Sequence, residues 1–396
     1  MKRYIIVLII LFCGCISVRA QNGVEIFGYF ESQIMGADIN SKFYQLYTNK
    51  LRVDLALDPS DRISFGANFD YITYHGKTEW DILQFLSNRV VSSIPQELRG
   101  YYIMPFEDRV FLDNAYLTIH LSWLDLMIGK QQISLGTGYV WNPVDVFNIK
   151  DVLDPTYEQP GHNAVRFDIP LSYRFTLTAL YSPGDTWQNS AKLIQFKGGI
   201  SHFDFSLIAI EKQWIFHDYT DIDVAARYFT SLPQNRRLLG ASTVGELFGL
   251  GVWAEFGYNF MEKTDDFHEL VAGLDYTFDF QTYVMAEFYQ NTLGKTDYHD
   301  YTINDWMRLF ATEQKAISRN QIYLLVQHPV SDFVHLGLSA IHSISDGSLA
   351  LVPTFTYSFS QTVDIMSYIN VNFGDKGAVY SPLQGNGGLL RARIYF

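Results

Sequence analysis

A chain of 396 residues carrying 29 Lys+Arg against 42 Asp+Glu, 48% hydrophobic and only 18% charged, has room for one large or two ordinary domains. Its 30 Phe, 26 Tyr and 7 Trp exclude a disordered or collagen-like chain. The net charge of −13 argues against a nucleic-acid partner, which needs a basic face.

The first segment differs from the rest. Lys2 and Arg3 form a positive start, Tyr4 to Phe12 an apolar run, and Val18-Arg19-Ala20 a peptidase-readable end, so residues 1–20 read as a secretory signal cleaved after Ala20. The run is too short to span a bilayer, which takes about 20 apolar residues. Both cysteines, Cys13 and Cys15, fall inside it. An acylated Cys15 is the alternative, but Phe12 and Cys13 fit poorly where small residues are needed. Without the signal the chain has no thiol for disulfides or covalent catalysis.

From 21 to 396 the recurring pattern is period two over segments of about ten residues. Leu51, Val53, Leu55 and Leu57 alternate with Lys50, Arg52, Asp54 and Ala56; Val252, Ala254, Phe256, Tyr258 and Phe260 alternate with Gly251, Trp253, Glu255, Gly257 and Asn259. Strands are expected near 24–36, 43–57, 62–75, 109–121, 123–133, 163–170, 172–183, 191–201, 204–216, 235–246, 250–260, 266–279, 281–291, 318–329, 332–343, 349–360, 362–373 and 387–396. Every second connection is tight, such as Asp58–Asp61, Ser122, Leu171, Phe248-Gly249, Phe280 and Gln361. The intervening ones are mostly long, above all 76–108 and 134–162. Apolar residues around Glu79–Asn88 and Asn304–Ala316 sit at helical spacing and suggest short helices in two of these connections.

A soluble sandwich shares the alternation, but short turns at one end and long loops at the other are the pattern of a transmembrane barrel. The chain ends Leu390-Arg391-Ala392-Arg393-Ile394-Tyr395-Phe396, alternating and closing on an aromatic residue. This resembles the terminal strand of Gram-negative outer-membrane porins. The resemblance implies that Phe396 is read by the barrel-assembly machinery. The expected fold is therefore all-β: a closed antiparallel transmembrane β-barrel of about 18 strands, with 16 as the alternative, integral to the cell outer membrane and facing its lipid. A barrel this wide encloses water unless a loop blocks it.

The inward positions carry the chemistry. Lys50, Arg52, Arg391 and Arg393 fall inward near the chain ends, with Glu25 and Glu31 between them; Arg166, Arg174 and Lys197 follow with Asp168; then Glu255, Glu269, Asp275 and Glu287. These are the expected pore-lining groups, basic on one side and acidic on the other, a field that orients charged solutes unless the charges pair with neighbours. Gly129-Lys130-Gln131 leads into Gly138-Tyr139-Val140-Trp141-Asn142-Pro143-Val144-Asp145 and on to Asp151. This stretch of roughly thirty residues resembles one in the alginate-export and related porin-like channel families. Ser134-Leu135 stands where those sequences tend to have a Trp. The aromatic side chains are costly to leave in water. The connection 134–162 is thus expected to fold inward as a constriction loop with Tyr139, Trp141, Asn142, Asp145 and Asp151; packing at the surface is the competing reading.

No catalytic constellation, metal-ligand spacing or cofactor motif appears: the ten His are scattered, and His217-Asp218 and His299-Asp300 are bare pairs. The expectation is a non-enzymatic channel without cofactor or metal, passing small hydrophilic solutes passively. A selective channel for a charged saccharide and a non-conducting surface scaffold are the alternatives. Oligomeric state is open.

Overall fold

The computed structural model describes residues 23–40, 42–150, 153, 157–223 and 228–396. The expected signal at 1–20 and Asp151 lie outside them. The described residues form eighteen long strands: β1 Val24–Ile39, β2 Lys42–Ser60, β3 Ile63–Gly76, β4 Arg109–Leu121, β5 Leu124–Gln132, β6 Gly161–Ser172, β7 Phe175–Ser182, β8 Ala191–Ile200, β9 Phe203–Asp223, β10 Tyr228–Leu247, β11 Leu250–Met261, β12 Phe267–Thr277, β13 Tyr283–Asn291, β14 Asn320–Pro329, β15 Val334–Ser343, β16 Leu349–Ser360, β17 Val363–Phe373 and β18 Asn386–Tyr395. Each pairs antiparallel with the next, and β18 returns to β1 from Tyr29↔Tyr395 to Asp38↔Asn386. Phe396 continues the seam through reciprocal bonds with Gly28, 3.0 and 3.1 Å. Closure leaves no open edge, as hydrocarbon requires of a β structure.

The side-chain alternation decides between the barrel and a dry-cored sandwich. On β8, Ile194 is 60% exposed whereas its neighbour Gln195 is 3% exposed. The same inversion runs round the ring: Ile128, Leu239, Leu274, Leu324, Leu338 and Ile369 point outward, while Asp70, Asn114, Asn259 and Gln321 are buried inside. Apolar groups outside and polar groups inside fit oil around the wall and reverse the pattern of a soluble core.

Several elements depart from the sequence expectation. The β6–β7 turn falls at Tyr173-Arg174, beyond the expected Leu171, after a register shift following Pro170, which has no N–H to give the ladder. β9 and β10 run past the expected 216 and 235, pairing up to Asp223↔Tyr228 as a hairpin above the wall. It is held by Tyr219 N–H donating to Asn304 Oδ1 (2.6 Å) and by Arg308 donating to the His217 carbonyl. Of the two expected helices, the second is α2, Ile303–Phe310, begun by a reciprocal Thr302/Asp305 cap. The first is broken into a single turn at Ile82–Phe85 and the short α1, Asn88–Ser92, beside a ribbon pairing Glu79–Asp81 with Ile103–Pro105.

A charge on the outward face tests this orientation. Leu324→Arg, at the middle of β14, should cost about 2–4 kcal/mol of folding free energy in bilayers, measured by urea unfolding in vesicles.

Candidate functional site: a loop anchored across the lumen

The connection between β5 and β6 leaves the wall at Gln132 and rejoins it at Gly161. A loop placed inside a barrel must find partners for backbone groups that no ladder satisfies. Two carboxylates of the inner wall supply them. Glu255 on β11 accepts the N–H groups of Thr137 (2.6 Å), Gly138 (3.3 Å) and Val144 (2.7 Å). Glu287 on β13 accepts those of Tyr139 (2.6 Å), Val140 (2.9 Å) and Trp141 (3.0 Å), and the indole N–H of Trp253 (2.7 Å). Such close wrapping needs glycine: a Cβ at Gly136 lies 2.5 Å from Glu255 Oε2, and one at Gly138 lies 1.8 Å from the Trp141 carbonyl oxygen.

Apolar packing fixes the same segment. The Trp141 ring lies flat on Tyr289, centroids 5.0 Å apart. Ile133, Leu135, Val144 and Phe147 pack on Leu180, Leu193, Ile208 and Leu238 of the wall. Asp145 turns back on its own loop, accepting from Phe147 N–H (2.8 Å), Asn148 N–H (3.0 Å) and Asn148 Nδ2 (3.0 Å). Lys315 reaches over to donate to the carbonyls of Asn142 (2.7 Å) and Pro143 (3.2 Å), and to Glu269 on β12 (3.2 Å). Glu269 also meets Arg236 (3.5 Å) and the Tyr289 hydroxyl (2.6 Å). Asp275 accepts from the Tyr283 hydroxyl at 2.9 Å.

The far end of the loop reaches the opposite side of the ring. Glu158 accepts from Lys50 on β2 (2.6 Å), from the Tyr29 hydroxyl on β1 (2.6 Å) and from Arg393 on β18 (2.9 Å). Burial alone raises the Glu158 carboxyl, but the bonds from Lys50 and Tyr29 and the nearby Arg393 charge bring it from 4.5 down to about 2. The cations there have further partners. Arg52 meets Asp54 (3.0 Å), Asp113 (3.4 Å) and Asp70 (3.8 Å); Arg393 and Arg391 meet Glu31 at 2.6 and 3.7 Å. Asp113 faces inward beside Asn114 because the β3–β4 register slips there, Asn68 pairing Asn114 and Phe69 pairing Leu112. Of the other inward cations, Arg166 pairs with Asp168 at 2.7 Å. Arg174 sits in the short β6–β7 turn, and with Lys197 it lines a cavity of about 310 Å³ beneath Gly136 and Thr137.

The sequence thus places Tyr139, Trp141, Asn142 and Asp145 on one segment, and the structure shows what it missed. Glu158, Asp70 and Asp113 neutralise the wall expected to be basic, while Arg236 and Lys315 enter the wall expected to be acidic. Glu255 and Glu287, 1% and 0% exposed, are covered by loop backbone and do not face open solvent. Strand alternation cannot reveal a bulge or the reach of a loop side chain.

No family model matches the chain, and no curated protein matches its sequence. Among solved structures it is similar to OccAB1, OccAB2 and OccAB4 of Acinetobacter baumannii. Identities are 10, 8 and 10%, and TM-scores 0.56, 0.56 and 0.55. The matches cover 96, 94 and 96% of this chain and 98, 98 and 99% of those chains. The shared fold is the porin-like barrel of outer-membrane proteins. With its closed ring and apolar outer face, this chain is an integral outer-membrane β-barrel.

Removing one anchor tests the loop's tether. Glu287→Ala leaves four buried donors without their acceptor, and should lower the unfolding free energy by roughly 3 kcal/mol or more while exposing 139–150 to added protease.

Proposed function

We infer that the barrel is a passive channel for small hydrophilic solutes, narrowed by the 134–162 connection, and that it is not an enzyme. One observation carries this reading. A cavity of about 660 Å³ on the long-loop side and another of about 270 Å³ toward the short turns are both lined by Arg52. The larger cavity runs from Lys50 and Arg52 on β2 across to Lys212 and Trp214 on β9 and Glu269 on β12, so the route crosses the interior and passes Arg52. Beside it the lumen is narrowed, because Trp141, Trp253, Tyr289, Tyr301 and Trp306 belong to one apolar cluster joining the inner loop to the outer ones.

The lining of the larger cavity mixes signs: Lys50, Arg52 and Lys212 stand with Asp70, Asp113 and Glu158. Close pairing cancels much of a transverse field, so size governs passage more strongly than charge. Refolded protein in planar bilayers should conduct, with a near-equal permeability for small anions and cations; absence of conductance contradicts the reading. Arg52→Glu should shift the reversal potential toward cation preference, and an unchanged potential places Arg52 off the route.

Glu158 gives a pH test. Its folded value lies below its ordinary one, so the clasp to Lys50 and Arg393 is intact above 4.5 and is lost only as pH falls toward about 2. Glu158→Gln should raise unitary conductance at neutral pH, and the unmodified chain should approach the variant's value only as pH falls toward about 2.

A further inference from the structure

A separate cavity of about 360 Å³ has Trp141 in its wall. That is the lower end of the size range of small-ligand sites, about 300–1,000 Å³. Its rings come from separate connections: Trp80 and Phe85 from 77–108, Phe310 from the end of α2, and Trp141 from the inner loop. Four amides complete the lining, Gln321 on β14, Asn370 and Asn372 on β17 and Gln384 from the β17–β18 connection.

The amides are fixed in one sense. Asn370 and Asn372 donate through Nδ2 to the Gly385 carbonyl (3.1 and 2.8 Å), and Gln384 donates through Nε2 to the Phe85 carbonyl (2.9 Å). What remains of each of these three is its oxygen, an acceptor, whereas Gln321 Oε1 already accepts from the Tyr380 hydroxyl (2.5 Å). Asn372 Oδ1 and Trp141 Nε1 are buried without a hydrogen-bond partner, on side chains that are 3% and 2% exposed. Such a group is costly to leave unpaired.

These valences select the ligand's chemistry. A carboxylate has only acceptors and meets amide oxygens badly. The two lysines on the lining are already turned away, Lys150 to the Tyr139 carbonyl (2.9 Å) and Lys315 to those of Asn142 and Pro143. Their charge also disfavours an organic cation among the rings. A hydroxyl both donates, as Asn372 Oδ1 requires, and accepts, as Trp141 Nε1 requires. A ring with an apolar C–H face and several hydroxyls matches the aromatic wall and the amides together.

We propose that this cavity is a binding site for a neutral saccharide, seated against the inner loop and beside the Arg52 route. Occupancy does not require the barrel to conduct, so it is tested apart from permeation. The measurement is equilibrium titration of intrinsic tryptophan fluorescence of the refolded full chain with maltose, using mannitol, which has hydroxyls but no ring, as the control. The expected result is a saturable change at millimolar maltose, none with mannitol, and roughly tenfold weaker binding in Asn372→Leu, the scale of one lost hydrogen bond. No saturable change with maltose, an equal response to mannitol, or unaltered affinity in a folded Asn372→Leu barrel each overturns the proposal. Should that variant fail to fold, the maltose and mannitol comparison on the unmodified chain decides alone.

Discussion

The arrangement depends on one constraint: backbone N–H groups removed from water need acceptors. A segment without regular structure, folded inside a barrel, carries a row of such groups, and Glu255 and Glu287 between them accept six of them. A carboxyl group buried at 0–1% exposure without partners is itself costly. The two needs offset each other, since the donors that lack partners surround acceptors that lack solvation. The loop and the wall charge are therefore one structural unit, and neither is stable in this place without the other.

That unit sets the shape of the lumen. Anchoring the loop on β11 and β13 draws Trp141 onto Tyr289 and joins it to the apolar interior of the outer connections. Apolar packing thereby narrows the interior beside β11 and β13, and the largest of the described cavities lies between β2 and the inner faces of β9 and β12. At the other end Glu158 ties the loop to Lys50, Tyr29 and Arg393, half the ring away from Glu255. The described ends of the segment are thus fixed on opposite sides of the interior.

Much of the fold is legible in the sequence because a strand with lipid on one side and water on the other has to alternate. Leu51 to Leu57 and Val252 to Phe260 announce it directly, and turn spacing supplies the up-and-down order. The aromatic and proline content of 138–145 marks the loop as unsuited to water. The electrostatics are not legible in the same way. Alternation names the face on which Lys50 or Glu287 lies but not what comes to meet it. The partners are a bulged residue, Asp113, a loop residue with no motif around it, Glu158, and a lysine from a distant connection, Lys315. The Lys50–Glu158 pairing, 108 residues apart in the chain, is decided by where the loop lands, which depends on the whole ring.

The most direct test is a disulfide between loop and wall in a chain whose two cysteines lie at 13 and 15. A Cβ built on Gly240 of β10 falls against Val144 Cγ1 of the loop, so Val144→Cys with Gly240→Cys brings two thiols within bonding reach. In folded, membrane-embedded protein the pair should oxidise spontaneously and resist a membrane-impermeant maleimide until reduced. Two free thiols that label from outside would place the loop away from the wall and contradict the account.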